Sequence, residues 1–273
     1  MPWWHWVCCV AMAAFVVATA ALVANGLRHS LPMRLGLREP RRRSELPVVP
    51  IHHRDVLRRA KTGDLLLFSG YSGDSMIVRA WSWAPLTHVG VVVRESNESG
   101  PAWLWEANLD ETKVDCLRGC SRGKEGGAQL TDLETSLRAY DGRVFWRPLG
   151  RALPLERILP TIAACRDFEF NVNSVDLMRS CVRRNPFARG AVRIADALRV
   201  RKDSERTFCS ELAATTLLAA GAFRTDDIVD PQRFAASVHP QDFGAPSDAP
   251  FPPWQPEYRP TDELLWVVPA EGC

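Results

Sequence analysis

Residues 87–107 read THVGVVVRESNESGPAWLWEA. Residues 87–93 and 102–107 have the composition and alternation of two strands, and the turn-rich SNESGP between them joins the pair. Alternation places His88, Gly90 and Val92 on one face and Val89, Val91 and Val93 on the other. Gly90 leaves room beside His88 for another group to approach closely. A hairpin centred near Asn97 sets His88 and Glu106 at equal distances from its centre. They then lie directly opposite on one face, with Cβ atoms about 5 Å apart. Leu104 shares that face, and Trp103, Trp105 and Ala107 take the other. A carboxylate in that place fixes the tautomer of the imidazole and stabilises its charged form.

Outward from this hairpin, residues 56–61 read as a short helix and 63–68 (GDLLLF) as a buried strand. Residues 75–83 read as a helix, and the polar, glycine-bearing stretch 110–131 as a loop. A helix over 133–140 and a strand over 143–149 (RVFWRPL) follow, then helices over 155–165, 173–182 and 208–220. Gly221 ends the last of these. Residues 244–260 are Pro-rich and wrap the surface, and 262–268 return as a final strand. The pattern is α+β, a small antiparallel sheet with packed helices. Gly63, Gly70 and Gly73 are not spaced as a phosphate-binding loop.

The chain has 273 residues, with 34 Lys+Arg against 32 Asp+Glu. That near balance argues against a dedicated nucleic-acid partner. At 46% hydrophobic and 24% charged residues, the composition excludes wholesale disorder. The cysteines are scattered through a long chain rather than spaced as a disulfide framework, which favours a reducing compartment.

Residues 3–27 contain no Lys, Arg, Asp or Glu and are long enough to span a bilayer as a helix. Trp3, Trp4 and Trp6 suit an aromatic belt. Arg28, Arg34, Arg38, Arg41, Arg42 and Arg43 follow, which places the rest of the chain on the cytoplasmic side of a single-pass membrane protein. A cleaved signal peptide, with Ala18-Thr19-Ala20 as its processing site and a secreted product, is the alternative. The missing basic n-region speaks for the anchor. The expected organisation is therefore an N-terminal transmembrane helix within 1–27 and a basic Pro-rich linker over 28–50. A globular domain over 51–243 and a Pro-rich extension over 244–273 ending in a strand complete it.

Residues 207–212, TFCSEL, open the helix whose Leu212, Ala213, Thr216, Leu217 and Ala220 face the core. Cys209 falls in its first turn, where free N–H groups and the positive end of the helix dipole favour a thiolate. The same N–H groups suit the oxyanion of a tetrahedral intermediate. A helix-start Cys, a strand His and a neighbouring strand Glu make up the nucleophile, base and orienting residue of thiol acyl transfer.

The ordered set GDLLLFS (63–69), THVGVV (87–92), Glu106 and FCSEL (208–212) resembles the circularly permuted NlpC/P60 papain-like proteins. Within them it is most similar to the YiiX/YaeF type and its poxvirus relatives. The resemblance covers roughly residues 56–240, including RVFWRPL and the late DIVDPQRF. It implies a permuted papain-like fold with Cys209 as nucleophile, His88 as base and Glu106 as the third, polar residue. Three features depart from the family pattern: the FEFN segment at 168–171 lies far upstream of the cysteine, a long Arg-rich stretch over 173–204 intervenes between them, and the loop from Asp115-Cys116 to Cys120 is extra.

The expected function is that of a membrane-anchored cysteine hydrolase or acyltransferase acting on an amide or ester bond. Asp64, Ser69 and Trp83 are candidate substrate-positioning residues. The partner is an acyl or peptide substrate, with membrane lipid as an option that the anchor favours. Cofactors are not expected, and the Cys116–Cys120 pair has too few companions for a metal site. The alternative is a non-catalytic lipid- or peptide-binding module of the same fold.

Overall fold

The structure, a computed structural model, describes residues 46–82, 84–95, 100–123, 126–171, 179–181, 188–190, 192–193 and 205–268. The expected membrane helix within 1–27 and most of the expected helix over 173–182 lie outside them. Among the described residues no helix is long and apolar enough to cross a membrane.

In chain order the elements are β1 (Val48–His52), α1 (His53–Arg59), β2 (Leu65–Gly70), α2 (Gly73–Ser82), β3 (His88–Arg94) and β4 (Ala102–Asn108). Then come β5 (Gly127–Asp132), α3 (Leu133–Ala139), β6 (Gly142–Arg147), α4 (Leu155–Cys165) and β7 (Glu169–Phe170). The chain finishes with β8 (Arg206–Thr207), α5 (Cys209–Ala219), α6 (Pro231–Ala236) and β9 (Leu264–Val268). Seven strands form one sheet in the order β1-β9-β6-β2-β3-β4-β5. Every pair in it is antiparallel except β1 with β9. The molecule is a mixed α+β structure in which helices pack on both faces of this sheet.

Period-2 alternation sorts the strand residues onto two cores. Leu65, Leu67, Val89, Val91 and Trp105 face one side, covered by Ile158 and Ile162 of α4 and by Leu212, Ala213 and Leu217 of α5. Leu66, Phe68, Val92, Leu104 and Trp146 face the other, under Val56 of α1 and Leu133 of α3. Helix α5 carries more than the one-sided apolar stripe expected of it. Ser210, Glu211 and Ala214 are buried along with Leu212, Ala213, Thr216 and Leu217, because the sheet, α4 and α6 enclose it. Trp105 donates its indole N–H to Thr216 Oγ1 at 3.0 Å, which fastens α5 to β4. Gly221 follows the helix with φ +78°, the left-handed stop expected of it.

Three expectations change. Residues 48–50 are not linker but part of β1, an edge strand where Pro50 costs no ladder hydrogen bond on its open side. The final strand, expected in a C-terminal extension over 244–273, lies between β1 and β6, second from one edge of the sheet, so residues 264–268 are part of the domain's sheet rather than an appendage. The last part of the expected loop 110–131 is the strand β5, which pairs along its length with β4. Glycines at its start, with φ +58° at Gly126 and +128° at Gly127, gave that stretch the appearance of a loop.

Candidate active site

His88 opens β3, Asn108 closes β4 and Gly127 opens β5, so all three mark the same end of the sheet. The chain crosses that end twice. Phe168 accepts a hydrogen bond from Ala128 N at 3.0 Å, and Asn171 N donates to Thr207 O at 3.0 Å. The parallel β7–β8 pair thus brings the FEFN segment, distant in sequence from Cys209, to the residues that lead into it. Phe170 packs edge-on against Phe208, with ring centroids 6.0 Å apart.

The β3–β4 register differs from the expected one by two residues. Val91 pairs with Trp105, and one step further brings Gly90 level with Glu106. His88 and Glu106 are therefore diagonal neighbours on one face rather than directly opposite. A diagonal pair remains within reach of long side chains, and His88 Nε2 lies 2.6 Å from Glu106 Oε2. Because the offset is even, both residues stay on the same face. The space left by Gly90 belongs to Leu104, whose Cδ1 would sit 2.6 Å from an added Cβ.

Cys209 is the first residue of α5, and no side chain caps that helix. Its side chain is 8% exposed and lies within hydrogen-bonding and Coulombic reach of His88. With Nε2 engaged by Glu106, Nδ1 is the ring nitrogen left to serve the thiol. The sequence-predicted trio of Cys209, His88 and Glu106 is thus brought together.

Burial alone would hold His88 in its neutral form. Cys209 and Glu106 more than reverse this, raising its pKa to about 9. Glu106 is fully buried, which disfavours its charge, yet Lys113 and His88 hold its carboxyl well below the usual carboxylate range. Lys113, itself buried, donates from Nζ to Glu106 Oε1 at 2.6 Å, and Thr131 Oγ1 donates to the same oxygen at 3.3 Å. Lys113 is a site residue that sequence reasoning missed. It comes from the 109–126 connection, which Asp115 anchors by accepting from Leu130 N at 3.1 Å and Leu117 N at 3.0 Å. Its run, DETKVD, carries no spacing signal that distinguishes one buried lysine from a solvated one.

Asp64 and Ser69 both have structural posts: Asp64 lies away from the reactive end, while Ser69 lies at that end, next to Phe68, which pairs with His88. Asp64 lies at the level of Val92, about 13 Å along β2 from the level of His88. It is fully buried. Its carboxylate accepts from Lys61 N and Nζ, Trp146 Nε1 and Leu149 N at 2.9–3.1 Å. Ser69 alternates away from the face of Phe68 and donates to Pro85 O at 2.8 Å, while Arg79 donates to Ser69 Oγ at 3.2 Å. That latch fixes the chain's approach to His88. Trp83 lies outside the described residues. Cys116 and Cys120 are exposed free thiols. Among the described residues no group of three or more His, Cys, Asp or Glu could hold a metal ion.

No family model matches the chain, and no curated protein matches it. Among solved structures it is similar to the metalloprotein YiiX from Escherichia coli O157:H7. The sequence identity is 15% over 78% of this chain and 98% of that one, with a TM-score of 0.40.

Proposed function

We propose that the protein is a cysteine hydrolase or acyltransferase of the permuted papain-like type, with Cys209 as nucleophile, His88 as base and Glu106 as the residue that orients the imidazole. The observation that carries this is His88 placed between Cys209 and Glu106, with Nε2 2.6 Å from the carboxylate. The ordered motifs that resemble the YiiX/YaeF type of NlpC/P60 proteins support the same assignment.

His88 takes the proton of Cys209, and the thiolate attacks the carbonyl carbon of an amide or ester. The carbonyl π electrons move to oxygen, and the uncapped N–H groups at the start of α5 receive the oxyanion. Collapse breaks the bond to the leaving group, which accepts the proton held by His88, and leaves a thioester on Cys209. Water or another acceptor then loses a proton to His88, attacks the thioester and releases the acyl product with return of the thiol. Glu106 stabilises the imidazolium formed in each half-reaction. Residues 3–27 anchor the enzyme in a membrane, with the Arg-rich flank and the catalytic domain on the cytoplasmic side.

Cys209→Ala should abolish labelling by an electrophilic acyl probe and all turnover, while leaving the far-UV spectrum unchanged. Undiminished labelling would remove the mechanism.

A further inference from the structure

Lys113 is driven inward by the loop that carries it. Asp110 ties the start of the 109–126 connection by accepting from Thr112 N at 2.9 Å and Thr112 Oγ1 at 2.6 Å. Asp115 ties the loop to β5 through Leu130 N. Between these ties the chain alternates: Lys113 and Asp115 are buried, and Val114 is 55% exposed. Lysine side chains ordinarily lie along the surface with the ammonium in water. This one is 4% exposed and ends on Glu106 Oε1 at 2.6 Å. Stability alone does not account for it, since both members of a buried ion pair can be exchanged for well-packed apolar residues at little cost.

A carboxyl buried like that of Glu106, without a second cation, is pushed up by about 3–5 pH units, into the range of imidazole or past it. With His88 as its sole charged partner, the Nε2 proton would cross the 2.6 Å bond to Oε2 as Nδ1 took the proton of Cys209. That leaves a neutral ring, a neutral carboxyl and a thiolate without its imidazolium. Lys113 reverses the balance, because its own buried charge is met by the ionised carboxylate. No other titratable neighbour among the described residues takes its place. Cys209 of α5 lies beyond His88, and Tyr140, which follows α3, has a phenol pushed up by burial and further by Glu106. Thr131 and Gln129 of β5 carry no charge. We propose that Lys113 is a positioning residue for the thiol reaction: seated on Oε1, it keeps Oε2 ionised and turned to Nε2, so that the imidazole retains both protons once Cys209 has given up its own. This inference rests on Cys209 being the nucleophile and assigns the residue that sets the acid limit of its activation.

The pH profile of Cys209 alkylation by iodoacetamide, followed on the full chain by peptide mass, reads the thiolate without the natural substrate being known. Lys113→Gln keeps a donor to Oε1 and removes the charge, whereas Lys113→Arg keeps both. The acid limb of Cys209 alkylation should rise by about 1–3 pH units in Lys113→Gln and stay near its wild-type place in Lys113→Arg. A limb unmoved or lowered in Lys113→Gln would overturn the inference, because a lysine of purely structural use weakens the fold without moving the limb. Should Lys113→Gln lack a cooperative urea transition, the wild type decides. With glutamate carboxyls labelled with carbon-13, the Glu106 resonance, assigned by its loss in Glu106→Gln, should keep its ionised shift down through the ordinary glutamate range. A Glu106 resonance that titrates within that range would overturn the inference. Either contrary result leaves the thiol mechanism standing. Wild-type Cys209 alkylating no faster than Cys116 and Cys120 would instead overturn the nucleophile assignment and this inference with it.

Discussion

A carboxylate buried as deeply as that of Glu106 is tolerated because each of its oxygens is bonded, one to His88 and one to Lys113. Removing one partner of such a group leaves an uncompensated buried charge. Lys113→Met is expected to destabilise the fold by about 3–5 kcal/mol, read from urea unfolding at neutral pH. The raised pKa of His88 fixes the sign of two pH effects. Its contribution to stability is fully present below the ordinary histidine value of about 6.5 and is lost as pH rises through about 9. The contribution of Glu106, held low, is present above the ordinary carboxylate range and is lost as pH falls through its depressed value. Catalytic turnover should likewise fall on the basic side near pH 9, where the imidazolium that protonates the leaving group disappears. Glu106→Gln removes one of the groups raising His88, so that basic limb should move to lower pH. The rate should drop about a hundredfold. A pH–rate profile of the variant with its limb unmoved would show that Glu106 does not act on His88.

At the scale of elements, the β3–β4 hairpin and helix α5 carry the site, and both were largely legible. Alternation in THVGVVV and AWLWEA placed His88 and Glu106 on one face, and the spacing of Leu212, Thr216 and Leu217 with Gly221 beyond them marked the helix and its end. The register was not legible, because hairpin centring treats the SNESGP connection as symmetric, and the observed pairing is displaced by two residues. The face survived because the displacement is even. Strand β5 and Lys113 were hidden for a related reason: glycines and charges in 110–131 report local flexibility and polarity, while pairing with β4 and burial against Glu106 are tertiary. Strand length sets Asp64 away from the site, and alternation turns Ser69 from the face of Phe68 to Pro85 and Arg79, positions that composition alone does not report. The tight fit of Leu104 over Gly90 yields a test of this hairpin. Gly90→Ala should cost about 1–3 kcal/mol by overpacking, measured by urea unfolding. In the Leu104→Ala background the same change should cost much less, since the methyl then enters vacated space.

At the scale of the whole molecule, the chain closes on itself through β9. Val144, Phe145 and Trp146 pair with it on one side, and residues 48–52 pair with it on the other. Truncation after residue 243 would expose the ladder groups of β6 and detach β1, and such a protein is expected to lack a cooperative urea transition. A truncated chain that unfolds cooperatively with the wild-type midpoint would contradict the role of β9 as an interior strand. The end of the sheet where β3 begins gathers His88, Glu106, Lys113 and Cys209 from parts of the chain far apart in sequence, and everything proposed about function depends on that convergence. The most direct test is the rate of alkylation by iodoacetamide, site by site, at neutral pH in the wild type and in His88→Ala. Cys209, though buried, should react faster than the exposed Cys116 and Cys120, and should lose that advantage when the imidazole is removed. A Cys209 that reacts more slowly than the exposed thiols, or at a rate indifferent to His88, would contradict the account.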